Sequence, residues 1–276
     1  MTYYERIGVG YAEHRRPDPH IEGQVHRALG EACTVLNVGA GAGSYEPADR
    51  QVVAVDLVRG MLDQRAPGAA PAIQARAEAL PFPAASFDAA LAVLTVHHWS
   101  DVEKGISELR RVADRQVILH FELSWQPELW LTREYLPVAG VIEEERAVTM
   151  ERLLGLLDRP RVEPVPVPAD CTDGFCGAYW RRPEAYLDPA VRQSISSLAQ
   201  LAPEQVEPGI KRLAEDLESG RWHERYGHLL EREELDLGYR LVTAGRHRPS
   251  AASRAAFGGA QSRAADVGLR PPPSAQ

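Results

Sequence analysis

A chain of 276 residues, 44% hydrophobic and 25% charged, holds enough apolar material for one substantial core and a small appended layer. Its 31 lysines and arginines against 39 aspartates and glutamates leave a formal charge of −8, which repels a phosphate backbone and argues against nucleic acid as a partner. The first twenty residues lack the apolar stretch of a signal peptide, no run approaches the ~20 apolar residues of a membrane span, and Cys33, Cys171 and Cys176 follow no repeated spacing, so a cytoplasmic protein without membrane partners is expected.

In chain order, residues 34–38 form a short apolar run ended by glycines, and residues 52–55 form another ended by Asp56, the marks of buried parallel strands. Residues 87–96 and 116–121 repeat the pattern. Between them Val102–Val112 places Val102, Ile106, Leu109 and Val112 on one helical stripe, so strand and helix alternate, which implies a doubly wound, mostly parallel α/β sheet. Only residues 44–51, with Pro47 among them, separate the glycine loop from the second strand. That is too short for a full helix, so cover for this part of the sheet is expected from the segment before residue 31.

Beyond residue 121 the texture changes. Residues 129–136 and 150–157 read as helices, and 161–167 alternates valine with charged residues and prolines in the manner of an edge strand. Residues 170–233 hold two or three helical stretches, clearest in Pro203–Glu218, where Pro203 suits a first turn and Gly220 a helix end; they read as an inserted helical cap. The organisation expected is an N-terminal helical lid over 1–30, a core over 31–169, the cap over 170–233, a last core strand within 234–245, and a disordered tail over 246–276, where no period is visible.

The loop Gly39-Ala40-Gly41-Ala42-Gly43 follows the first strand directly, and glycines serve where backbone approaches a ligand closely. The dinucleotide fingerprint places its third glycine one position later, where this chain has Ser44. Taken alone, a glycine triplet also serves tight turns. Asp56 ends the second strand at the same sheet edge. Its carboxylate suits the two hydroxyls of a ribose, and equally the cap of a helix starting near Val58; the two roles compete for the same oxygens.

Over residues 35–120 the order and spacing of five stretches resemble the methyltransferase type 11 group of the class I S-adenosylmethionine (SAM) superfamily. These are the glycine loop, VVAVDLVRGML with Asp56 and Met61, AEALPFPAASFDAAL from Ala77, VLTVHHWSD from Val93, and GISELRRV from Gly105. The resemblance implies a seven-stranded Rossmann-like sheet, SAM as cofactor and S-adenosylhomocysteine (SAH) as its product. It assigns the methionine part of SAM to the loop with Asn37, Gly39, Ala40 and Gly41, the ribose to Asp56, the adenine to Leu57 with Ala77 and Glu78, and the rest of the cofactor shell to Met61, Thr95 and His98. Tyr11 and Arg15 match an N-terminal stretch that folds over SAM, and an arginine suits its carboxylate. Two departures stand out: Asn37 occupies a position where relatives carry an acid, and so does Arg76.

Methyl transfer from a sulfonium chiefly needs alignment, sometimes with removal of a proton. His97, at the carboxyl edge after the fourth strand, is the candidate base and acceptor contact, against the plainer reading of a buried histidine bonded to backbone. Glu122, Tyr179 and Trp180 are the further candidates for the acceptor, although core packing accounts equally well for the two aromatic residues. Cys171 and Cys176 with His223 or His228 make a poor four-ligand zinc set, so no metal is expected. The expected activity is methyl transfer to a small-molecule acceptor. The alternatives are a nucleotide-dependent oxidoreductase on the same sheet and a SAM-binding protein that transfers no methyl; acceptor atom and oligomeric state stay open.

Overall fold

The computed structural model describes residues 14–122, 124, 129–145 and 147–245. Tyr11, the rest of the segment before residue 14, and the 246–276 tail lie outside the described residues. Five parallel strands form the centre: β1 (Thr34–Val38), β2 (Gln51–Asp56), β3 (Ala72–Gln74), β4 (Phe87–Val93) and β5 (Ala113–Phe121). Late in the chain, β6 (Arg161–Pro164) and β9 (Tyr239–Gly245) complete a seven-stranded sheet in the order β3-β2-β1-β4-β5-β9-β6, with β9 antiparallel to both neighbours. The doubly wound, mostly parallel sheet expected from the alternation is the observed one. β6 sits at the edge, as its Pro164 requires, since a proline has no N–H for a second ladder.

Alternation along the strands decides which helix each face receives. Val35, Leu91, Val117 and Leu119 point to the face covered by α1 (Pro19–Leu29), whose buried Ile21, Val25 and Leu29 join them in one core. Asp18 caps α1 by accepting from the His20 and Ile21 amides at 2.9 and 3.2 Å, and Pro19 fits the first turn. Leu36, Val38, Ala90 and Ile118 point to the opposite face, under the Val102, Ile106, Leu109 and Val112 stripe of α3 (Val102–Val112). Between these lies only α2 (Arg59–Leu62), one short turn after β2. Residues 44–50 form turns and coil rather than a helix, and through them Tyr45 drops a fully buried ring beneath α1.

The second half departs further from periodicity. Where a helix was expected over 129–136, Trp130 leads into a π-type turn, Leu131–Tyr135, and the regular helix is the next one, α4 (Pro137–Glu145). Pro137 ends the first pattern and opens the second, because it has no N–H to give the preceding turn. α5 (Met150–Gly155) precedes β6. From there the chain leaves through β7 (Val167–Pro168) and returns through β8 (Glu234–Leu235), which pair antiparallel with Val167 opposite Leu235. The excursion between them carries α6 (Pro189–Ser194), α7 (Pro203–Glu218) and α8 (Arg221–Tyr226) with two 3₁₀ turns. Its Tyr186 and Trp222 meet Trp130 edge-on at ring separations of 5.5 and 5.4 Å, and all three belong to the same apolar core as α1. Among the described residues no helix is long and apolar enough to cross a membrane.

Candidate functional site

A cavity of about 510 Å³ opens at the carboxyl ends of the parallel strands, where successive β–α connections leave a crevice. Asn37, Gly39, Ala40 and Gly41 border it from the loop after β1. That loop is fastened to β2: the amides of Gly39 and Ala40 both donate to the Val55 carbonyl, at 2.8 and 3.0 Å. Gly39 has φ +70°, and a Cβ at this position would collide with the Thr95 side chain, which approaches from the end of β4. Both facts demand glycine.

Asp56 borders the cavity at the end of β2, with Leu57 and Met61 following it. Its Oδ2 accepts from the Gly41 amide and its Oδ1 from the Val58 amide, each at 2.8 Å. One carboxylate thus holds the glycine loop and also opens α2, and each oxygen retains a further acceptor position. Burial pushes the Asp56 carboxyl above its ordinary value of 3.8, outweighing the opposing bonds from Val58, Gly41 and Leu57 and the charge of Arg65. Leu57 is 44% exposed, an apolar side chain at the cavity mouth, with its carbonyl fixed by Gln74 Nε2 at 2.9 Å.

Asn37 is buried, and its Nδ2 donates to Glu46 Oε1 at 3.0 Å. Glu46 is itself gripped by Arg65 through bonds of 2.9 and 2.6 Å. A carboxylate only accepts, so the amide cannot be flipped, and Asn37 Oδ1 is left as a buried acceptor without a protein partner among the described residues, on a residue that borders the cavity. Such an atom suits a ligand that carries N–H donors.

Ala77 and Glu78 border the cavity after β3. Glu78 Oε1 accepts from the Ser100 amide and hydroxyl, both at 2.8 Å, and from the Asp101 amide at 3.2 Å. Partial burial works to raise its pKa, but these bonds and its own backbone amide hold the carboxyl below the usual range. Thr95, His97 and His98 arrive from the end of β4 and the 3₁₀ turn Val96–His98, with the two imidazoles 3.9 Å apart between centroids. The His97 ring meets Phe121 at 5.0 Å.

The opposite wall is aromatic. Phe175 and Tyr239 lie 4.6 Å apart and Phe121 and Tyr239 6.4 Å apart, while Cys176, Ile195 and Ser196 complete the wall from the excursion. Arg15 closes the cavity from the N-terminal side together with Tyr45. Its Nε donates to Asp173 Oδ1 at 2.5 Å, and the Tyr45 hydroxyl donates to Asp173 Oδ2 at 2.9 Å. Burial and the Asp173 charge push the Tyr45 phenol up, so it remains a donor.

Three residues expected at the acceptor do not border the cavity. The Trp180 ring is fully buried, its indole N–H donating to the Val167 carbonyl at 3.0 Å. Tyr179 lies against the Arg182 guanidinium, 4.9 Å from its ring centre, and Glu122 is tied through its amide to Gly238 at 2.7 Å. The residues that take their place, Phe121, Phe175 and Tyr239, carry one usable signal. Tyr239 opens an antiparallel strand, so its first residue, rather than its last, reaches the carboxyl edge of the parallel strands. Phe175 and Asp173 carry none, because a coil segment of the excursion brings them in.

Comparison with known proteins gives a consistent result. A sequence profile described as a methyltransferase domain matches residues 36–121. The uncharacterized methyltransferase YcgJ of Bacillus subtilis (strain 168) is 35% identical over 89 residues, which are 28% of this chain and span only 35% of that relative. A solved structure from Anabaena variabilis ATCC 29413, assigned as a methyltransferase from an antibiotic biosynthesis pathway, is 30% identical with a TM-score of 0.78, covering 83% of this chain and 98% of that one. With this sheet order and this likeness over nearly the whole of a solved relative, the chain belongs to the class I SAM-dependent methyltransferases.

Proposed function

We propose that this chain transfers a methyl group from SAM to a small-molecule acceptor. The observation that carries the reading is one continuous cavity with two chemically different walls. On one side stand the glycine loop, Asp56 and the partnerless Asn37 Oδ1; on the other, the aromatic wall of Phe121, Phe175 and Tyr239. SAM fits the first side: Asn37 Oδ1 accepts from its ammonium, Asp56 takes the ribose hydroxyls on its remaining acceptor positions, and Arg15 pairs with its carboxylate. Leu57 offers an apolar face to the adenine beside Ala77 and Glu78, while Gly39, Ala40, Gly41, Met61, Thr95 and His98 close around the rest. When bound, the sulfonium supplies an electrophilic methyl group.

The chain's own part is alignment, exclusion of water and removal of a proton. His97 stands between the two walls and accepts the proton of the acceptor's nucleophile. Among the described residues, the side chains that β5, β9 and the excursion contribute to the cavity include no charged group, so the acceptor body is apolar and uncharged. Likeness to a protein assigned to an antibiotic biosynthesis pathway supports a metabolite acceptor in the same way.

Calorimetric titration with SAM, SAH and NADH tests the cofactor. Binding of the two sulfur ligands without NADH is expected, and NADH binding alone would restore the oxidoreductase reading. Formation of SAH with a panel of neutral aromatic acceptors then separates transfer from mere binding. His97→Ala should leave SAH affinity within about twofold and slow turnover by about 10²-fold. Equal loss of both would place His97 with the cofactor.

A further inference from the structure

The seam between the N-terminal segment and the excursion is built around two buried carboxylates. Asp18 and Asp173 are both essentially excluded from solvent. Asp18 caps α1 with Oδ1 and accepts from the Thr172 amide with Oδ2 at 3.1 Å. Beside it, the Gly174 amide donates to the His14 carbonyl at 2.9 Å, Thr172 Oγ1 donates to the Pro17 carbonyl at 3.2 Å, and Arg15 and Asp173 form a β-bridge. Backbone pairing alone would hold these two segments together.

The Asp173 carboxylate therefore does something the backbone does not need. A buried carboxylate is expensive to desolvate, and an apolar side chain would close the seam at lower cost. This one is spent on two groups, Arg15 Nε at 2.5 Å and the Tyr45 hydroxyl at 2.9 Å, and both of those side chains border the cavity. Anchoring a guanidinium through its Nε fixes the plane and direction of the whole fork. We propose that Asp173 is a positioning residue, which through Arg15 sets the guanidinium for the α-carboxylate of SAM. The inference rests on the SAM reading above. It also means that a segment outside the parallel sheet helps build the cofactor half, and two residues later the same segment supplies Phe175 to the acceptor wall.

Calorimetry on the full chain with two probes tests it: SAH, and 5′-methylthioadenosine, which keeps the nucleoside and sulfur but lacks the amino-acid carboxylate. Asp173→Asn is expected to weaken SAH at least tenfold and leave methylthioadenosine within twofold. Because the neutral amide risks misfolding at a buried site, Asp173→Glu, which keeps the charge and displaces it by one methylene, is measured in parallel and should show the same selective loss. In an Arg15→Gln background, Asp173→Asn should cost SAH little more. Equal weakening of both probes, or no weakening, overturns the positioning role and reduces Asp173 to a structural pair. Failure of the unaltered chain to bind either probe overturns instead the SAM reading on which the role stands.

Discussion

At Asp56 two demands meet on one side chain. Its oxygens already accept from Gly41 and Val58, so Asp56→Ala removes both the ribose contact and the brace of the loop. A loss of about 2–3 kcal/mol in SAH affinity is expected by calorimetry. The pH dependence has two opposite signs. Because burial raises the folded pKa above 3.8, this group's contribution to fold stability is fully present below 3.8 and fades as pH rises through the folded value. Ribose binding needs the carboxylate, so SAH affinity falls as pH drops through that same raised value; an affinity flat from neutrality down to pH 3.8 would contradict it. Gly39→Ala places a methyl group against Thr95 at a φ of +70° and should abolish measurable SAH binding. Gly39→Ala with Thr95→Gly relieves the collision but not the backbone strain, which is about 1 kcal/mol, and recovers only part of it. The sequence made Gly39, Asp56 and Asn37 visible because each lies at a fixed offset from a strand. It hid Tyr45 and Asp173, whose bonds join residues 128 and 158 positions apart: Tyr45 to Asp173 and Arg15 to Asp173.

Among the elements, α3 shows how a helix is fitted to a site. It is an 11-residue helix with an apolar stripe buried against the sheet, yet it carries Gly105 in its interior, where glycine costs about 1 kcal/mol relative to alanine. The reason is Trp99, whose ring lies so close that a Cβ on Gly105 would collide with it, and Trp99 borders the cavity. Gly105→Ala should therefore destabilise by about 1–3 kcal/mol in thermal melts despite its better helix propensity, and weaken SAH as the ring shifts. Unchanged melting and binding would mean that the ring has room to move. The bounds of α3 were legible to the residue because an unbroken apolar stripe sets them. α4 was not, since its apolar residues cluster behind Pro137 rather than repeat, and the helix is held by what surrounds Tyr135 and Leu136.

Across the whole molecule, the excursion shares the core on the α1 face of the sheet, to which its two tryptophans contribute. Trp180 and Trp222 make a paired test. Trp180 donates its indole N–H to the Val167 and Pro168 carbonyls, at 3.0 and 3.3 Å, whereas the buried indole nitrogen of Trp222 has no acceptor among the described residues. Both lose volume on change to phenylalanine, so the difference isolates the bonds: Trp180→Phe should cost about 1–3 kcal/mol more than Trp222→Phe in denaturant melts. Equal losses would mean that packing alone sets both. The parallel sheet could be foreseen because alternating elements constrain topology, while the shared core could not, since rings such as Trp130 and Trp222 lie far apart in sequence and meet only through tertiary packing. The seam at Asp173 carries one more consequence, for chimeras. Because β7 and β8 bring the two ends of the excursion together, residues 169–233 look like a cassette that could be exchanged between relatives to change acceptor choice. A donor cassette without an acid at the place of Asp173 would remove the carboxylate that holds the largely buried Nε of Arg15 and the hydroxyl of Tyr45. Swaps that preserve this acid should fold and bind cofactor where swaps that omit it fail.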